Sequence, residues 1–136
     1  MEDTIFMKII RREIPAEIVY EDDDTLAFLD IAPNNPGHTL VIPKVAARNV
    51  FDIDQENWVA VMKTVHKIAG AVKDAVHARG VNIIMNNEAE AGQEVFHAHA
   101  HIIPRHAREE FNLWPKKEYK DGEKADVAEK IRANLA

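Results

Sequence analysis

The stretch Val95-Phe96-His97-Ala98-His99-Ala100-His101-Ile102-Ile103-Pro104 decides how this chain is read. Residues two apart on a β-strand point to the same face. A strand here sets His97, His99 and His101 in a row about 6.6 Å apart and turns Ala98, Ala100 and Ile102 the other way. Each imidazole needs partners for two nitrogens, and three adjacent rings repel one another when protonated. Such a row requires compensation from a bound metal, an anion such as phosphate, or a catalytic task in which the neighbours steady one ring.

Working outward, Val81 to Met85 has strand character, and the loop from Asn86 to Gln93 joins it to the histidine strand, so the two pair antiparallel. Upstream, Asp54 to Arg79 is the main helix. Trp58, Val61, Met62, Val65, Ile68, Ala69, Val72 and Val76 form its apolar face, His66 and His77 lie on it, and Gly80 is its stop. Strands are expected over Glu17–Tyr20, Thr25–Asp30 and His38–Pro43, with the acidic run Glu21–Asp24 as a hairpin turn. Asp3 or Thr4 caps a short N-terminal helix that stops near Pro15. Past Arg105 the chain turns polar, and Val127, Ala128, Ile131 and Leu135 allow a terminal helix. The order describes an α+β fold: an antiparallel sheet of about five strands, a long central helix and a short N-terminal helix. We read residues 1–136 as a single domain, with a core over about 3–105 and a C-terminal extension over about 106–136.

The chain carries 17 basic and 23 acidic residues, a net charge of −6, which argues against a broad electrostatic surface for nucleic acid. With no cysteine, disulfides and thiolate metal sites are excluded, and a reducing compartment fits. No segment has the apolar length to span a bilayer and no signal pattern opens the chain, so the expected location is cytoplasmic, with no membrane partner.

A neutral imidazole is a good nucleophile near pH 7, and its attack on phosphorus gives a phosphoramidate that water later opens. His99, with a histidine on either side, suits this best. His97 and His101 then hold the α-phosphate and help to protonate the leaving group. Gly92, in the turn just before the triad, lets backbone N–H groups approach an anion closely.

The run His97 to Ile103 resembles the His-φ-His-φ-His-φ-φ motif of the histidine triad superfamily of nucleotide hydrolases and transferases, where φ is apolar. Ile5-Phe6, Lys8-Ile9-Ile10, Glu13-Ile14-Pro15-Ala16, Asp30-Ile31, Pro36 with His38, Leu40-Val41-Ile42-Pro43-Lys44 and Gly92-Gln93 are similar to its Hint branch of nucleoside phosphoramidases. The transferase branch has glutamine where this chain has His101, so the resemblance implies hydrolysis without a cofactor. It implies a purine nucleotide substrate, an AMP or GMP derivative, and a homodimer. His38 is placed against the triad as an orienting residue, and Asp30 accepts hydrogen bonds from the ribose hydroxyls. Asn86, Gly92 and Gln93 contact phosphate or sugar, and Phe6, Phe28 and Ile31 form the base pocket, to which Ile5, Ile9 and Leu40 also belong.

Three departures stand out. Thr4, Met7 and Ala46 occupy places where bacterial-type relatives carry two cysteines and a histidine for a structural zinc, so that zinc is not expected. Glu94 stands where the Hint branch commonly has a serine beside the scissile group, and a carboxylate there repels phosphate oxygens while favouring an amine leaving group. Trp114-Pro115 resembles a pair that reaches toward the partner's site across the dimer, at a different spacing from the triad; the other reading is a tail tryptophan that covers the sheet edge. Two other functional classes stand beside the hydrolase. One is a metal-binding protein or metalloenzyme using the histidines, against which no carboxylate lies at a suitable spacing. The other is a nucleotide-binding interaction protein whose turnover is incidental.

Overall fold

A computed structural model describes residues 3–111 and 115–135. Along the chain come α1 (Ile5–Ile10), β1 (Ile18–Glu21), β2 (Thr25–Leu29), β3 (Thr39–Pro43), α2 (Gln55–Ala75), β4 (Gly80–Ile84), β5 (Ala100–Arg105) and α3 (Glu123–Leu135). The five strands form one sheet in the order β1-β2-β3-β5-β4, with every neighbouring pair antiparallel. This is the α+β architecture expected from the sequence. Among the described residues no helix is long and apolar enough to cross a membrane.

Both faces of the sheet are covered, which is why β3 is buried along its whole length rather than alternating. Ala27, Val41, Ala100 and Ile102 pack under Val61, Val65 and Ile68 of α2. On the opposite face Leu26, Phe28, Leu40 and Ile42 meet Phe6 and Ile9 of α1. Period-two alternation sends Ala100 and Ile102 into the α2 layer, so His101 faces the α1 side. The acidic run is turn chemistry: Asp22 Oδ1 accepts from the Asp24 and Thr25 N–H groups at 2.9 and 2.7 Å. Those bonds hold the Asp22 carboxyl below the usual carboxylate range.

The α2 helix starts as expected, with the Asp54 carboxylate accepting the Asn57 N–H at 2.7 Å. It ends earlier than its apolar pattern suggests, because His77 takes a left-handed φ of 55° and Gly80 opens β4. His77 therefore lies beyond the helix, and Gly80 is not its stop. Met62 is 37% exposed and drops out of the buried stripe, which Thr64 enters by bonding Thr25. At the N-terminus the Thr4 hydroxyl accepts the Met7 N–H, so this side chain serves as a helix cap. None of the described side chains of α3 is buried. Trp114 lies outside the described residues, and Pro115 is exposed.

Candidate active site

The sequence reading extends one strand through all three triad histidines, but β5 begins only at Ala100. Two long-range bonds shape the segment before it: Ala98 N–H donates to the Ala47 carbonyl at 2.8 Å, and His97 Nε2 donates to the Pro43 carbonyl at 2.8 Å. The three rings consequently do not line up along one strand face. His97 is 1% exposed, edge-on to Phe6, with its Nε2–H spent on Pro43. Its side chain does not line the cavity that holds His99 and His101.

That cavity, of about 530 Å³, lies between α1, the end of β2 and the loop after β4. Phe6, Phe28, Leu40 and Val95 make an apolar wall, and Asp30, Asn34, His38, Asn86, Glu94, His99 and His101 supply polar groups. Phe6 packs edge-on to Phe28 and His99, with ring centroids 5.4 and 5.0 Å apart. Ile31, expected in the base pocket, sits at the mouth with 95% exposure.

His99 Nδ1 lies 2.6 Å from the His97 carbonyl. A carbonyl only accepts, so Nδ1 carries the proton and Nε2 keeps its lone pair. His101 is set the opposite way. The Asn34 backbone N–H donates to His38 Nδ1 at 3.1 Å, and His38 Nε2 lies 2.8 Å from His101 Nδ1. Neutral His38 therefore keeps its proton on Nε2 and donates that N–H to His101 Nδ1 in a hydrogen bond, which leaves His101 with its own proton on Nε2. The His99 and His101 rings stand 4.8 Å apart, one offering a lone pair and the other an N–H.

Burial favours the neutral form of all four rings: it pushes His38, His97 and His99 below the ordinary histidine value. His101 drops to about 4, through burial first and then the neighbouring His99 and His38. In the unfolded chain these groups protonate near pH 6.5. The unfolded state thus binds more protons below that pH, and stability falls as pH drops from about 6.5 toward the folded value of His101. We expect the melting temperature to decline already between pH 6.5 and 5, above the range in which carboxylates such as Asp22 and Glu88 take up protons. A flat melting temperature across that interval would mean the rings are not buried as described.

Asp30 follows the last residue of β2; its Oδ1 accepts the Ala32 N–H at 2.9 Å and its Oδ2 lies 3.8 Å from His38 Nε2. By sequence no carboxylate lies at a suitable ligand spacing from the triad, yet the β2-β3-β5 order brings Asp30, His38 and His101 together, with ligand atoms within 4.8 Å of one another. The His38–His101 separation of 2.8 Å is a hydrogen bond. Two nitrogens on one tetrahedral zinc stand farther apart, about 3.3 Å for bonds of 2.0–2.1 Å.

The loop before the triad is braced from within. Gln93 is 4% exposed; its oxygen accepts from Glu88 N–H and Asn49 Nδ2, and its nitrogen donates to the Arg48 and Val95 carbonyls. With all of these contacts made, the Gln93 amide braces the loop, and its side chain is not among those that line the cavity. The loop also holds Glu88 at a φ of 78°, and its carboxylate bonds Arg48 and Asn49. Gly92, at φ 93°, takes a conformation that side chains rarely adopt, and Asn86 Nδ2 reaches its carbonyl at 3.5 Å. Sequence reading missed Asn34 as a partner of His38; a backbone donor leaves no mark in residue type.

A family model described as the HIT domain matches residues 11–108. "Protein hit" of Bacillus subtilis is 48% identical over 107 residues, covering 79% of this chain and 74% of that protein. The purine nucleoside phosphoramidase of Escherichia coli is 43% identical over 103 residues, 75% of this chain and 87% of that one. A crystal structure of a HIT-family protein from Bacillus subtilis superposes with a TM-score of 0.90 at 42% identity, covering 99% of both chains. The paired histidines of β5 and its approach thus sit in a known frame, and the chain belongs to the HIT family.

Proposed function

We propose that this protein is a nucleotide hydrolase of the purine nucleoside phosphoramidase kind. On this reading it acts as a homodimer and releases a nucleoside monophosphate from an AMP or GMP derivative. The observation that carries this reading is the opposed setting of two rings: His99 Nε2 with a lone pair and His101 Nε2 with a proton, side by side in one cavity. His99 Nε2 attacks the α-phosphorus, and the bond from phosphorus to the leaving amine breaks as the amine takes a proton from solvent. The ring becomes cationic in the adduct, and the His97 carbonyl at Nδ1 steadies that charge. His101 Nε2–H donates to a phosphoryl oxygen in both steps. Water then attacks phosphorus, the P–Nε2 bond breaks, a proton returns to solvent, and neutral His99 is restored. Asp30 Oδ2 takes the ribose hydroxyls, Asn86 and the Gly92 turn meet phosphate or sugar, and Phe6, Phe28 and Ile31 hold the base. The relative named a purine nucleoside phosphoramidase supports this choice of substrate class.

Rapid quenching with a slow adenosine phosphoramidate, followed by mass analysis, is expected to trap a nucleotide on residue 99 with chelator present. Absence of the adduct together with undiminished turnover would overturn the proposal, and activity lost to chelator would favour metal chemistry at Asp30, His38 and His101.

Glu94 is exposed on the same cavity wall. A carboxylate there disfavours anionic leaving groups and attracts amines, so Glu94→Ser is expected to lower the ratio of phosphoramidate to phosphoanhydride rates severalfold. An unchanged ratio for adenylylated lysine against dinucleoside polyphosphate would remove Glu94 from specificity.

A further inference from the structure

The hydrogen-bond chain behind His101 does not end at His38. Arg105 closes β5 four residues beyond His101, on the same face of the sheet. Its Nη1 donates to Asn34 Oδ1 at 2.6 Å, its Nε to Asn82 Oδ1 at 2.8 Å, and Nη1 also reaches the Glu110 carbonyl at 3.3 Å. All three acceptors are neutral oxygens, so these bonds pair the guanidinium with no carboxylate. Asn34, held at its side chain, points its backbone N–H at His38 Nδ1. The loop has a second pin next to the first: Asn35 Nδ2 donates to the Pro104 carbonyl and to Glu110 Oε2, each at 2.9 Å. Gly37 fits this fold-back because an added Cβ would come 3.1 Å from Val76 Cγ1 and 3.2 Å from Pro104 Cγ.

We propose that Arg105 and Asn34 are positioning residues for the reacting pair, holding the Asn34 N–H on His38 Nδ1 and so locking His38 and His101 with their protons on Nε2. The proposal rests on the hydrolase reading, in which His101 must face phosphate as a donor. The physical reason is directional. If His38 turned to the other tautomer, its Nδ1–H would meet the Asn34 N–H head-on, and His101 Nδ1 would lose its donor. A protonated His38 meets the same clash. The groups facing His38 divide by sign. Asp30 Oδ2 at 3.8 Å favours its protonation, whereas burial, Arg105 and a charged His99 oppose it. The Glu110 carboxylate is taken up by Asn35 and by the His106 and Ala107 N–H groups. Loss of Arg105 removes one opposing charge and releases the Asn34 side chain, so that only the Asn35 pin holds the loop while Asp30 draws a proton onto His38.

The test reads nitrogen chemical shifts of ¹⁵N-histidine-labelled, ligand-free protein. In the wild type, His38 and His101 are expected to show unprotonated Nδ1 and protonated Nε2, and His99 the reverse. Arg105→Gln and Asn34→Ala should both give mixed tautomers at His38 and His101. They should raise the acid limb of kcat/KM by roughly half a pH unit or more. They should also lower kcat about tenfold, the low end for losing such an outer partner, with KM within about twofold. Asn34→Ala removes only the side chain of a surface loop residue, so it reads the chain even if Arg105→Gln folds poorly. Unmixed tautomers and a wild-type acid limb in the folded variants would overturn the proposal, as would the opposite tautomer at His101 in the wild type. Because the shifts are read without substrate, they stand apart from the adduct experiment: a missing adduct with turnover intact sinks the covalent route through His99 and leaves the tautomer result unaffected.

Discussion

His99→Ala is expected to lower kcat about a thousandfold or more while leaving affinity for a nucleoside monophosphate within a few-fold of wild type. No neighbour can take over the attack. His97 Nε2 is spent on the Pro43 carbonyl outside the cavity, and His101 presents a proton where His99 presents a lone pair. The binding surface survives because Phe6, Phe28, Asp30 and Asn86 belong to other elements and the alanine leaves their contacts with one another in place. Steady-state turnover of an adenosine phosphoramidate beside calorimetric titration with AMP separates the two effects. Turnover within tenfold of wild type would deny His99 its role. Equal loss of turnover and binding would point instead to a collapsed pocket.

Ile102→Ala carries the largest expected cost in stability, about 3–4 kcal/mol, the range for deleting most of a fully buried aliphatic side chain. Ile102 is 0% exposed in the layer between β5 and α2, where it packs with Val41, Val61 and Val65. It pairs with Thr39 on one side and Ile83 on the other, so there is no edge from which the sheet can relax into the void. Urea unfolding should show a lower midpoint with an unchanged slope. Leu135→Ala is the internal contrast: it removes a similar volume from α3, but at 79% exposure it should move the midpoint almost not at all. Equal effects at the two positions would mean that Ile102 does not sit in the core described.

Much of this architecture is written locally. Asp54 caps α2, the acidic run folds into the β1–β2 turn, and apolar alternation in β2 and β5 assigns residues to the two faces of the sheet. Each of these depends on residues a few positions apart, which a linear reading captures. The apolar period runs on through Val76 and so suggests a longer α2 than the backbone allows, because the chain turns out at His77. The triad segment differs from its pattern for a similar reason: alternation from His97 to His101 suits a strand, but bonds to Ala47 and Pro43 bend the segment.

Residue types alone determined that a histidine cluster would stand beside a glycine turn on a helix-covered antiparallel sheet, since spacing and burial period are properties of the linear chain. Which histidine offers a lone pair, which offers a proton and which is withdrawn into the core was decided only by tertiary structure. Proton placement on an imidazole follows from the group opposite each nitrogen. Here those groups are the carbonyls of Pro43 and His97 and the backbone N–H of Asn34, brought into place by folding and unmarked in the alphabet of side chains. The approach of Asp30 to His38 and His101 is decided in the same way, because strand order sets it and distance along the chain does not.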